Sequence, residues 1–309
     1  MRPSRGLFFF LTGTLAASLM TSVVAEPLSV PFDFSRGVIG IDATIGAQPV
    51  FIMLDTGVDP SAVDIHRAEA LGLKIDRSDS GEVSGVGDAQ SVRAFPATFD
   101  GLAIGSRRFG SVDALASDLS SLSTVYGRPI DAILGYSFLK DALVLIDYPN
   151  RRVVLLDEPG ELQPLIGGCR HRWNLALQTF GDNWPIIPRF RFGSSAGPVS
   201  LDTGSNGGIS LFARGLRLRG VHAALVEQGE VEHSGFRGTE KSKTYVLKED
   251  VGFGPFRLPA GLVVKLAKAA DASDRRAANV GNELFAAMNL KIFLDYPAKK
   301  IRFYGDCGR

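Results

Sequence analysis

The feature that most constrains this fold is an internal repeat. Residues 41–57 read Ile-Asp-Ala-Thr-Ile-Gly-Ala-Gln-Pro-Val-Phe-Ile-Met-Leu-Asp-Thr-Gly, ending on Asp55, Thr56 and Gly57. Residues 187–204 read Ile-Pro-Arg-Phe-Arg-Phe-Gly-Ser-Ser-Ala-Gly-Pro-Val-Ser-Leu-Asp-Thr-Gly, ending on Asp202, Thr203 and Gly204. Each is a strand, a glycine turn, Pro-Val, an apolar strand and then Leu-Asp-Thr-Gly, the pattern of a β-hairpin leading into an acidic turn. Both halves also close alike. Ile133-Leu134-Gly135 precedes an apolar run and Asp147-Tyr148-Pro149, and Asn279-Val280-Gly281 precedes another and Asp295-Tyr296-Pro297. Gly135 follows Asp55 by 80 residues and Gly281 follows Asp202 by 79. Two chance tripeptides would not share this context in this register.

Between these ends each half has a glycine hairpin, at 83–88 and at 233–238. Asp-Tyr-Pro followed by basic residues predicts a tight turn, with Pro fixing φ and the Asp side chain bonding the turn backbone. Helices are expected over 62–71, 136–141 and 282–288. The 35 glycines among 309 residues punctuate the chain as many short strands require, so the fold class expected is all-β. The boundary between halves falls in the Pro- and Gly-rich stretch 158–168.

The N-terminus reads as an export signal: Arg2 and Arg5, an uncharged apolar run, then Val23-Val24-Ala25 as a small-residue cleavage site. The expected organisation is a signal peptide at 1–25, an N-terminal lobe at 26–160 and a C-terminal lobe at 161–309. The alternative for residues 1–25 is an uncleaved anchor, and no other membrane association is expected. The destination expected is periplasmic or secreted. The net charge of +1 gives no reason to expect a nucleic-acid partner.

The repeated Leu-Asp-Thr-Gly, with Ser205 following the second copy, resembles the retropepsin and pepsin group of aspartic peptidases. The resemblance spans the chain beyond the export segment. It implies a bilobal pepsin-like acid protease fold made of two retropepsin-like lobes, an endopeptidase whose catalytic acids are Asp55 and Asp202, and no cofactor or metal. Acids a few ångströms apart share one proton, so one can act as base on a water and the other as acid toward the scissile carbonyl. The resemblance also implies that Thr56 and Thr203 lock the two loops together. Gly57 and Gly204 permit the sharp turns. The glycine hairpins, with Gly85, Val86 and Gly87 in one and Gly235 and Phe236 in the other, would be flaps over a peptide or protein substrate bound in extended form. One chain supplies both acids, so a monomer is expected. In this fold Cys169 and Cys307 flank the second lobe's outer strands, and export would let them pair. The family usually has Ala or Ser where this chain has Val58. Only Ser205 is then expected to offer a hydroxyl to an outer carboxylate oxygen, which predicts activity at weakly acid to near-neutral pH.

The competing class is a non-catalytic peptide- or envelope-binding module that keeps the cleft. Other signals are weaker. Gly193-Ser194-Ser195-Ala196-Gly197 matches a serine-nucleophile pattern, but a strand follows it where that chemistry needs a helix. His66, His171, His222 and His233 form no metal-ligand pair. The basic run 214–219 reads as solvated surface. His233 and Arg237, beside the second hairpin, are as well explained by exposure as by substrate contact.

Overall fold

The computed structural model describes residues 26–83, 92–178, 183–235, 238–267 and 275–308. Residues 1–25, read above as an export signal, and Gly85, Val86, Gly87, Phe236 and Arg237 of the expected glycine hairpins lie outside these residues. The fold is mostly β. Two mixed sheets, one from each half, carry their strands in the same spatial order. The first runs Lys74–Ile75, Val92–Phe99, Val112–Ser117, Ser61–Asp64, Ala132–Leu134, Gln48–Leu54, Gly40–Ile45, Leu102–Ile104, Arg107–Arg108. The second runs Leu225–Gly235, Gly238–Leu247, Leu262–Leu266, Ile209–Leu211, Ala278–Val280, Ser195–Leu201, Ile186–Phe192, Val251–Phe253, Phe256–Leu258. Strand directions correspond too. Ala132–Leu134 runs parallel to Gln48–Leu54, and Ala278–Val280 runs parallel to Ser195–Leu201. The duplicated sequence is therefore a duplicated topology.

Alternation sets the faces. Ile41, Ala43 and Ile45 point into the core with Val50, Ile52 and Leu54, while Asp42 and Thr44 face outward. Ile187, Phe190, Val199 and Leu201 repeat this in the second half. The residues of Gly193–Gly197 form the expected hairpin turn region, with Gly193 at φ 57°. Ser195 Oγ donates to the Arg219 carbonyl.

A six-stranded sheet joins the halves, in the order Leu28–Pro31, Arg152–Leu156, Leu143–Asp147, Lys291–Asp295, Lys300–Cys307, Cys169–Ala176. Its central antiparallel pair takes one strand from each half, with Leu145 opposite Phe293. The Asp-Tyr-Pro turns behave as expected: Asp147 accepts from the Asn150 N–H and Asp295 from the Ala298 N–H. Asp147 also pairs with buried Lys291 at 2.8 Å, and Lys291 donates to the Leu165 carbonyl. The boundary stretch is thus not a bare linker. It forms the turn Pro159–Glu161 and the short helix Leu162–Ile166, whose Leu162 and Ile166 pack against Leu145 and Phe293.

Two helix expectations need correction. The stretch 62–71 begins as strand Ser61–Asp64, because Ala62 and Val63 pair with Leu115, Ala116, Ile133 and Ala132; only Ile65–Ala70 is helical, capped by Asp64 on the Arg67 N–H. A helix at Ser120–Tyr126, closed by left-handed Gly127, was not foreseen in its serine-rich stretch. The helices at Tyr136–Leu139 and Asn282–Ala287 lie where expected.

Cys169 and Cys307 face each other across the edge pair of the shared sheet and form a disulfide closing a separation of 138 residues. Such a bond fits an oxidising, extracytoplasmic location. Among the described residues no helix is long and apolar enough to cross a membrane.

Candidate active site

Each Asp-Thr-Gly turn leaves the end of a central strand, and the later glycine element holds it in place. The Asp55 N–H donates to the Leu134 carbonyl and the Asp202 N–H to the Val280 carbonyl, each at 3.0 Å. The glycines that follow these carbonyls have no substitute. A Cβ on Gly135 would lie 2.4 Å from the Val58 carbonyl oxygen, and one on Gly281 would lie 2.4 Å from that of Gly207. The acidic turn therefore crosses directly over the later glycine in both halves.

The two turns meet at the threonines. The Thr56 N–H donates to Thr203 Oγ1 at 3.0 Å, and the Thr203 N–H donates to Thr56 Oγ1 at 3.1 Å. Thr56 Oγ1 then donates to the Leu201 carbonyl and Thr203 Oγ1 to the Leu54 carbonyl. Both threonines are fully buried, so these four bonds are shielded from water and fix one turn against the other.

The carboxyls of Asp55 and Asp202 lie side by side next to this lock, both beside Gly57. The Gly57 N–H donates to Asp55 Oδ1 at 2.7 Å, and the Gly204 N–H to Asp202 Oδ1 at 2.9 Å. A Cβ on Gly204 would fall 1.9 Å from Asp55 Oδ2, and one on Gly57 would fall 2.9 Å from Asp202 Oδ1. Glycine at both places lets each turn approach the other's acid. Burial, and next the charge of Asp202, push the Asp55 carboxyl well above the usual carboxylate range. Among the described residues neither acid is ion-paired with Lys or Arg.

Ser205 supports the site differently from expectation. Its backbone N–H donates to Asp202 Oδ1 at 3.1 Å, while its Oγ lies against Gly281. The outer oxygen, Asp202 Oδ2, accepts instead from Asn279 Nδ2 at 2.6 Å. Asn279 Oδ1 accepts from the buried Ser200 hydroxyl. The sequence signal for Asn279 was its replacement of the apolar residue found at Ile133.

A second buried relay lies beneath Asp202. Tyr148 Oη donates to Asn282 Oδ1 at 2.6 Å, and Asn282 Nδ2 donates to the Thr203 carbonyl at 2.6 Å. Burial, then the charge of Asp202, push the Tyr148 hydroxyl up. Tyr296, its counterpart in the other Asp-Tyr-Pro turn, stacks edge-on against Tyr136 with ring centroids 5.8 Å apart. Each closing turn thus reaches across to the opposite half.

Of the expected flap residues, the described Gly235 closes the long hairpin of Leu225–Gly235 and Gly238–Leu247, paired with Gly238. It makes none of the hydrogen bonds around the acids. The Leu225–Gly235 strand packs on the helix Ser120–Tyr126 of the first half. Among the described residues no cluster of three or more His, Cys, Asp or Glu could hold a metal ion.

Residues 41–138 match the aspartyl protease family. This stretch is an aspartyl protease domain. It contains Asp55, Thr56, Gly57 and the crossing glycine Gly135. Asp202 lies beyond the matched residues, in the half that repeats their strand order. No curated protein is significantly similar to the chain.

Proposed function

We propose that the chain is an aspartic endopeptidase with a bilobal, pepsin-like arrangement, its lobes spanning 26–160 and 161–309, and that Asp55 and Asp202 are its catalytic pair. The observation that carries this is the close approach of two carboxyls, one from each half and both beside Gly57, over a buried threonine lock. Two such acids retain one proton between them over a wide pH range. The ionised member takes a proton from a water whose oxygen bonds to the scissile carbonyl carbon. The protonated member gives its proton to the carbonyl oxygen, leaving a neutral gem-diol. Collapse returns a proton from one hydroxyl to a carboxylate as the other acid protonates the leaving nitrogen and the C–N bond breaks. No covalent intermediate forms.

The substrate is a peptide or protein segment bound in extended form between the lobes. One chain supplies both acids, so a monomer suffices. The disulfide supports export to the periplasm or the medium. A non-catalytic binding module has less support, because two adjoining carboxyls that pair with no Lys or Arg among the described residues serve proton transfer better than ligand capture. The test is incubation of the protein, without residues 1–25, with a mixed peptide library at pH 4 to 7, read by mass spectrometry. New internal termini support the reading; an unchanged library across the range removes it.

A further inference from the structure

The two acids are not equivalent, and the difference lies in three matched positions of the sheets behind them. In the first half Met53, Ile133 and Ala62 stand side by side across adjacent strands. The corresponding row in the second half is Ser200, Asn279 and Ser210. Ile133 offers Asp55 nothing polar. Asn279 places its amide on Asp202 Oδ2 at 2.6 Å. Its other end is engaged too, because the Ser200 hydroxyl donates to Asn279 Oδ1.

We propose that Asn279, held by Ser200, is a positioning residue that localises the negative charge of the pair on Asp202, making Asp202 the general base and Asp55 the general acid. The inference rests on the reading of Asp55 and Asp202 as a catalytic pair. Asp202 collects three donors, the Gly204 and Ser205 N–H groups and the Asn279 amide. Asp55 has the Gly57 N–H on Oδ1 and shares the Gly204 N–H with Asp202, but it has no side-chain amide. Donors to the charged form favour that form, so the proton belongs on Asp55. The raised proton affinity of buried Asp55 agrees.

The other titratable groups around the pair do not produce this bias. Tyr148 faces Asp202. Tyr296 faces Asp55, with Tyr136 and Asp59 beyond it. Burial pushes the Tyr148 and Tyr296 hydroxyls up, so both stay neutral at the relevant pH. Glu283 and Lys265 lie against Gly208 and Gly207 of the Asp202 turn and carry opposite charges. An uncommitted amide in the cleft wall would also serve binding, but here both ends of the Asn279 side chain are already engaged.

The test is site-resolved carbon-13 titration of the Asp55 and Asp202 carboxyls. Asn279→Ile places the first half's residue at this position, and Ser200→Ala/Asn279→Ile also removes the hydroxyl that would be left without its acceptor. In the wild type Asp202 should titrate below Asp55. In either folded variant the Asp202 midpoint should rise by about one pH unit, the size expected for one hydrogen bond to a charged group. The acid limb of the peptidase pH profile should move with it while KM changes little. An Asp202 midpoint unmoved in both variants, or lying above Asp55 in the wild type, overturns the assignment. Expected titrations in a protein that cleaves no peptide would keep the charge on Asp202 but remove the general-base and general-acid roles together with the peptidase reading.

Discussion

Tyr148 belongs to the closing turn of the first half, yet its hydroxyl donates to Asn282 in the second, and Asn282 holds the carbonyl of Thr203 in the Asp202 turn. Both side chains are buried, so Tyr148→Phe leaves the Asn282 oxygen without its donor. An unsatisfied buried acceptor costs about 1–3 kcal/mol. The urea midpoint of Tyr148→Phe should fall accordingly, with peptidase activity reduced through looser support of Asp202. An unchanged midpoint would show that the relay does not contribute to stability.

Stability should depend on pH through Asp55. Its folded-state proton affinity is raised by burial and by Asp202, so the folded protein binds this proton more tightly than the unfolded chain. The associated stability is present below the unfolded carboxyl pKa and is lost as pH rises toward the folded value. Asp55→Asn is neutral throughout. Its melting temperature relative to the wild type should therefore increase from pH 4 to pH 7. A difference that is constant or shrinks over that window would contradict the buried, proton-retaining state of Asp55.

The same raised affinity sets the alkaline limb of activity, since catalysis needs one proton on the pair. Cleavage should be centred at weakly acid to near-neutral pH. The ground for this prediction is the burial of Asp55 and not the Ser205 hydroxyl, because Ser205 contributes its backbone N–H and the outer oxygen is held by Asn279. A pH–rate profile peaking near pH 2 would exclude this account.

Reducing the Cys169–Cys307 bond should lower stability by up to about 5 kcal/mol, the chain-entropy figure for a loop of this length. Chemical unfolding with and without reductant measures it. The bond ties the first and last strands of the second half at the sheet edge, and neither strand supplies a hydrogen bond to the acids, so activity at low temperature should survive reduction.

Much of this site was legible because its parts are local words repeated at a fixed interval. Asp55, Thr56 and Gly57 recur as Asp202, Thr203 and Gly204, and the crossing glycines Gly135 and Gly281 follow at nearly equal spacing. What escaped depends on partners far apart in the chain. Tyr148 and Asn282 are separated by 134 residues, and neither spacing nor periodicity links them. Ala62 and Val63 read as the start of a helix, but cross-strand pairing with the strand at Ala132–Leu134 overrides local preference. Asn279 was visible as an irregularity beside Ile133, without a visible consequence until Ser200 and Asp202 were placed against it.

The most direct test of the central claim is the kcat/KM of Asp55→Asn, Asp202→Asn and the double variant on a peptide cleaved by the wild type, with folding checked by circular dichroism. Two acids that share one proton act as a unit, so each single change should remove at least about a thousandfold of activity and the double should be little worse than either. A folded single variant that retains most of the wild-type activity would contradict the account.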